Sequence, residues 1–427
     1  MEKLIAVFIC TLMLIGILSG LTGCTGHDSP GDGDGGQTSG GTTQTTSPAD
    51  DETRAVVIVL GATANSKGLN ISSPLVQETV YDTIYHYGTV ALINADGNPD
   101  VVFSQSYDVD KRFKGASPAL RRQDALEHTT KLLAVMNTVR ADDPEVDYLE
   151  SLRLAARYLD GLKDDYANKQ IIVVGTGVGT TGLLDLRNNI LSAQPETVVQ
   201  MLADREAIPD FQGVHVSWQQ LGDVSAPQSP LTQRQINRLT DLYEAMITAS
   251  NGTFTPDSII AIPANRDVEY PAVSTVDFPE EAPIVFDPEK TRFDAPVSLS
   301  EDLIGFVPDS SQYLYPDKAM ETLRPIAQYM LGEGSGANLL LVGSIAGDTD
   351  GPKGIQLSQA RADAVARTLT ELGVASDRLT ACGMGCHDPW HISGAGVEGE
   401  LAKENRKVVL LDANSPQAKS ILQEISA

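Results

Sequence analysis

An arginine stands where the local pattern calls for a hydrophobe. Leu357, Arg361, Val365 and Leu369 recur every four residues, so they share one stripe of a helix. Three of them are apolar and are expected to face a sheet. A guanidinium in that stripe needs an acid or a ligand, because an unpaired buried charge is costly. Arg361 also falls in the first turns of its helix, where the macrodipole disfavours a cation. Two chemistries fit. One is an internal arginine–carboxylate pair that ties helix to sheet. The other is a fork held open for an anion from outside the chain. On the residues alone, the internal pair is the plainer reading.

A second cluster follows at Cys382-Gly-Met-Gly-Cys386-His387-Asp388-Pro-Trp-His391. Two thiols and two imidazoles are ligand types of a tetrahedral zinc site. The CxxxCH run also resembles a variant haem-attachment motif. Simpler readings are a local disulfide between Cys382 and Cys386, or two free thiols in a glycine turn. Gly177 to Gly182 spells GxGxxG after a strand, a weak signal alone. No Ser-His-Asp or Cys-His nucleophile arrangement stands out. His86, His128 and His215 are isolated and read as satisfied helix or strand residues. The expectation is therefore no catalytic residue, no cofactor and no metal.

The elements that position these groups begin after a leader. Lys3 precedes an apolar run from Leu4 to Leu18, too short for a comfortable membrane span and suited to a signal-peptide core. Leu21-Thr22-Gly23-Cys24 then resembles a bacterial lipobox, with Cys24 as the lipidated residue. Each buried methylene contributes ~0.8 kcal/mol, so two or three acyl chains on Cys24 make a stable membrane anchor. Residues 1–23 read as signal peptide and 24–54 as a Gly/Ser/Thr/Asp tether without apolar periodicity. Such a tether spans roughly 30 Å. An extracytoplasmic location favours the Cys382–Cys386 disulfide. It also removes the nicotinamide pool that a GxGxxG loop would serve. The net charge of −26 over 427 residues repels nucleic acid, so no nucleic-acid partner is expected.

Order begins at Ala55. Ala55 to Leu60 and Gln170 to Val174 are continuous apolar runs, as in strands buried on both faces. Ser73-Pro74 is a helix start. Thr89 to Asn94 and Asp100 to Phe103 flank Asp96-Gly97 as a hairpin. Helices are expected over Pro118 to Val139, over Pro144 to Leu162 and after the Thr232/Gln235 capping box. A further strand is expected at Val214 to Gln219. This alternation argues an α/β layer over residues 55–262. Prolines and acids mark 263–298 as a linker, with an edge strand allowed at Pro283 to Phe286. A compact β-α-β-α-β-β domain is expected over 299–415, starting with a strand at Ile304 to Val307. A tail covers 416–427.

Leu357-Ser358-Gln359-Ala360-Arg361-Ala362, Val365 and Leu369, then Asn405-Arg406-Lys407-Val408, resemble the LSxxRAxxVxxxL and NRRV blocks of OmpA-like and peptidoglycan-associated lipoproteins. The resemblance covers about residues 300–412. It implies an α+β, OmpA-like βαβαββ sandwich whose ligand is the diaminopimelate of the peptidoglycan stem peptide. Arg361 would take the diaminopimelate carboxylate in a bidentate fork. An aspartate at the end of the preceding strand would take the ammonium, and Asn405 and Arg406 would support. The ungapped position of that aspartate is Ala346. Asp348 or Asp350 could serve if the loop is shorter. The element order of 55–262 is similar to the von Willebrand factor A-like doubly wound fold. Its metal site would be degenerate, since Gly61-Ala62-Thr63-Ala64-Asn65 and Gly175-Thr176-Gly177 supply no carboxylate.

The expected function is that of a non-catalytic envelope lipoprotein. It is anchored to the cell membrane or outer membrane, binds peptidoglycan and recruits a protein partner through the middle domain. The alternative is a surface adhesion or docking module whose OmpA-like domain has lost wall binding.

Overall fold

The structure is a computed structural model that describes residues 53–107, 117–162, 166–257, 269–279, 283–289 and 292–426. The leader, Cys24 and nearly all of the tether lie outside the described residues.

The first sheet opens with β1 (Arg54–Leu60), followed by α1 (Pro74–Tyr85), β2 (Thr89–Asn94) and β3 (Asp100–Ser106). Ser73 caps α1 by accepting the Val76 N–H, and Pro74 fills the first helical position. Then come α2 (Pro118–Met136), α3 (Tyr148–Asp160), β4 (Asn168–Val174), α4 (Pro195–Asp204), β5 (Val214–Gln219), α5 (Gln233–Ala249) and β6 (Thr253–Asp257). The strand order is β3-β2-β1-β4-β5-β6. Only β3 runs antiparallel, against β2. The apolar run of β1 serves two cores at once. Ala55, Val57 and Val59 pack with residues of α3, α4 and α5. Val56, Ile58 and Leu60 pack with residues of α1 and α2 on the other face. That two-sided burial is why no polar alternation appears in the strand.

The order in which successive strands are added reverses between the parallel β1 and β4, where open α/β sheets commonly keep a ligand crevice. Here Tyr148 fills it. Its hydroxyl accepts the Thr176 N–H at 2.9 Å, and its ring centroid lies 5.5 Å from that of Trp218. A Cβ on Gly61 or Gly175 would come within 2.3 or 2.5 Å of that hydroxyl, so both strand ends require glycine.

The second sheet is built from β7 (Ile284–Val285), β8 (Val297–Ser300), β9 (Leu339–Gly343), β10 (Leu379–Gly383) and β11 (Lys407–Asp412), in the order β10-β9-β11-β8-β7. Its helices are α6 (Glu301–Ile304), α7 (Pro316–Leu331), α8 (Pro352–Glu371), α9 (Glu400–Asn405) and α10 (Pro416–Ser426). The strand expected at Ile304 to Val307 is displaced. Ile304 ends α6, and the strand is β8, which begins inside the segment expected to be a linker and crosses its expected end at residue 298. Val297 and Leu299 are fully buried against the helical core, and β8 pairs with β11. The surrounding prolines hide this four-residue alternation. Val273 and Val276, in the same expected linker, pack into the first sheet's core. Val276 donates its N–H to Gln228 Oε1 at 2.7 Å and accepts from Gln228 Nε2 at 2.9 Å. The expected tail is α10, whose Ala418 and Ile421 cover the sheet face formed by Leu340, Val342, Val409 and Leu411.

The loop between β10 and α9 joins the two sheets. Asn189, in the left-handed region, donates to the Pro389 and His391 carbonyls at 3.1 and 3.0 Å. Ile392 and Leu401 enter the first sheet's core, and Thr197 Oγ1 donates to Glu404 at 2.8 Å.

The Tyr148 plug has a measurable signature. Gly175→Ala is expected to cost about 1–3 kcal/mol by overpacking, and less in a Tyr148→Phe background, read as a double-mutant cycle from urea unfolding. Equal costs in both backgrounds would contradict the packing described.

Candidate functional site

α8 runs for 20 residues and buries Ser358, Arg361, Ala362, Ala364, Val365, Thr368 and Leu369. The four-residue repeat therefore does put a guanidinium among apolar side chains, and Arg361 is only 7 % exposed. Its Nε donates to the Ser310 carbonyl at 3.0 Å. Its guanidinium carbon stands 5.3 Å from the centre of the Phe306 ring. Both partners come from the segment between α6 and α7. Among the described residues, no carboxylate forms an ion pair with Arg361. Glu301, the acid that acts on it most strongly, instead accepts from Arg406 Nε at 2.7 Å.

The guanidinium opens onto a cavity of about 500 Å³. Phe306, Leu357 and the Ala346 methyl give it apolar walls, and Asp309 and Glu398 bring carboxylates to it. Burial lowers the Arg361 pKa, and Arg406 adds to that, while Glu301 and Asp309 oppose it. An arginine keeps its charge under such shifts. The result is a desolvated cationic fork with one N–H committed and a polar-rimmed space in front of it.

The remaining expected site residues divide. Arg406 lines the cavity, but its Nε is committed to Glu301 and its Nη1 to the Val397 carbonyl at 2.9 Å. Asn405 does not line it. Asn405 is fully buried and clamps Ile392, accepting its N–H and donating to its carbonyl, each at 2.9 Å. Asp348 and Asp350 do not line it either. The chain turns away at Gly347, whose φ is +98°. Asp348 then accepts the Gly394 N–H at 2.7 Å, and Asp350 accepts the Cys386 N–H at 3.0 Å. Ser344, Ile345 and Ala346, which precede that turn, are the residues of this loop that line the cavity. Phe306, Ser310 and Asp309 were not expected, because they lie outside both sequence blocks. The aromatic at Phe306 was the single available signal.

The disulfide expectation is corrected. Cys382 and Cys386 are free thiols. Cys382 faces Leu340, Val342, Met384 and Trp390 in the core under α10, and burial pushes its thiol up to about 11. Cys386 follows the Gly385 turn and meets His387 instead, with Sγ 3.9 Å from Nε2. Burial and then Asp350 raise its pKa.

Residues 306–400 match the OmpA family. This OmpA-like domain holds Arg361, Phe306, Ser310 and Ala346, and its sheet continues past the matched residues into β8 and β11. Solved structures are similar over the same part. The OmpA-like domain of FopA1 from Francisella tularensis is 18 % identical, covering 29 % of this chain and 77 % of that one, with a TM-score of 0.23. The periplasmic domain of Helicobacter pylori MotB is 18 % identical over 31 % and 87 %, with a TM-score of 0.25. The cell wall anchor of the T6SS from Pseudomonas aeruginosa is 26 % identical over 27 % and 78 %, with a TM-score of 0.23. No curated protein matches the chain.

Stability separates an open fork from an internal pair. Breaking a buried ion pair costs about 3–5 kcal/mol. Arg361→Met is expected to leave the unfolding free energy within about 1 kcal/mol of the parent, or to raise it, because a desolvated charge is removed. Asn405→Ala is expected to cost about 1–3 kcal/mol, by leaving the Ile392 backbone groups buried and unpaired. Urea denaturation of both variants checks the pair, and a large loss in Arg361→Met would contradict the open fork.

Proposed function

We propose that this chain is a non-catalytic envelope lipoprotein that holds peptidoglycan in the Arg361 cavity. One observation carries the reading. A buried guanidinium that, among the described residues, forms no ion pair faces an open space, inside a domain that matches the OmpA family. The diaminopimelate carboxylate would lie against the free edge of the Arg361 fork, in a charge-assisted and bidentate arrangement. Its ammonium would turn to Asp309 or Glu398 at the same cavity, since Asp348 and Asp350 are engaged elsewhere. Arg406, Asn405 and Glu301 keep the walls of the cavity in place. Diacylglycerol on Cys24, followed by the 24–54 tether, would supply the membrane end of the bridge.

The 55–262 domain reads as von Willebrand A-like. Its strand order, with β3 alone antiparallel, supports this. Where such domains hold a metal, Thr63 donates to Asn65 Oδ1 at 2.8 Å within a buried turn that contains no acid. The role proposed for the domain is contact with a protein partner or plain spacing. A docking module without wall binding is the second reading, favoured by the methyl of Ala346 where the family places an aspartate.

Sedimentation with purified peptidoglycan tests the proposal. Parent protein is expected to pellet with the wall. Arg361→Ala should lose about 2–5 kcal/mol of binding, and Arg361→Lys should retain part of it, keeping charge without the planar fork. Unchanged retention in a folded Arg361→Ala protein would remove the cavity from wall binding.

A further inference from the structure

We propose that Asp350, Cys386 and His387 form a zinc site on the face of the domain formed by the β9–α8 and β10–α9 loops. One ligand atom from each lies within 4.8 Å of the others. His387 Nε2 is 3.1 Å from Asp350 Oδ1 and 3.9 Å from Cys386 Sγ. Tetrahedral zinc with bonds of about 2.0 Å to N and O and about 2.3 Å to S separates N from O by about 3.3 Å and S from N by about 3.6 Å. The observed spacings fall within a few tenths of an ångström of those edges.

Both contacts converge on the same ring nitrogen. A thiol–imidazole–carboxylate relay would instead use the two nitrogens separately, one toward sulfur and one toward the acid. Convergence on Nε2 is what a shared cation requires. The Asp350 side chain is 4 % exposed. Its Oδ2 is fixed by the Cys386 N–H, which leaves Oδ1 for the metal. A Cβ on Gly385 would overlap Oδ2, at 1.4 Å, so glycine there lets the carboxylate in. The His387 side chain is 63 % exposed, which gives the ion an entry path and leaves a fourth position for water. Binding forms Zn–S, Zn–N and Zn–O bonds, sends the Cys386 thiol proton to solvent and involves no redox step. It would tie the loop carrying Ala346 to the loop whose Pro389 and His391 carbonyls hold Asn189.

Cobalt substitution and native mass spectrometry of the untagged full chain test this. The expected result is one zinc per chain and, with Co²⁺, a near-ultraviolet thiolate-to-cobalt band. Cys386→Ser should abolish both. His387→Ala, at an exposed position, should weaken zinc binding at least tenfold while circular dichroism is unchanged. Cys382→Ala should leave the band intact. A parent chain with no band, a band that survives Cys386→Ser, one that depends on Cys382, or zinc affinity unchanged in His387→Ala would each overturn the site.

Discussion

A positive charge held among apolar side chains is the constraint around which the C-terminal domain is arranged. Val365 and Leu369 on the same stripe of α8 are fully buried, and the Arg361 side chain leaves its helix toward the segment between α6 and α7 rather than toward water. One backbone carbonyl and one aromatic face receive it. Those contacts orient the guanidinium without neutralising it. Glu301, the acid best placed to do so, is held by Arg406 instead. A fold that leaves such a charge without a direct ion pair among the described residues gives up stability, and that cost is intelligible if an anion arrives with a ligand.

The β10–α9 loop, which frames one side of the cavity, is held both from within the domain and from the first sheet. Asn405 fixes Ile392, and Ile392 enters the core of the first sheet. Lys407 donates to the Trp390 carbonyl at 3.0 Å beside the buried Asp388 carboxylate. The block that looked like part of a binding motif thus acts largely on the loop joining the two sheets. Deformation of that loop would be felt at Val397 and Glu398 on the cavity side and at Asn189 on the other.

Local patterns were readable where the chain alone determines them. The continuous apolar runs of β1 and β4 reported burial on both faces, and the caps at Ser73 and Thr232 reported helix starts. Arg361 was visible as a break in a helical period. What escaped reading depends on contacts distant in sequence. Ser310 reaches Arg361 across 51 residues, and Asn189 reaches His391 across 202. β8 was hidden because proline density outweighed four alternating residues. Asp348 and Asp350 looked close enough to serve the arginine, but the Gly347 turn directs them to Gly394 and Cys386. The two thiols diverge because Cys382 lies in β10 and Cys386 follows the turn at Gly385, which spacing alone could not report.

Calorimetric titration with a stem peptide ending in diaminopimelate addresses the open fork most directly, when compared with the same peptide amidated at that carboxylate. Saturable binding of the free acid, lost on amidation and lost in a folded Arg361→Ala chain, is the predicted result. Equal binding of acid and amide, or binding indifferent to Arg361, would contradict the account.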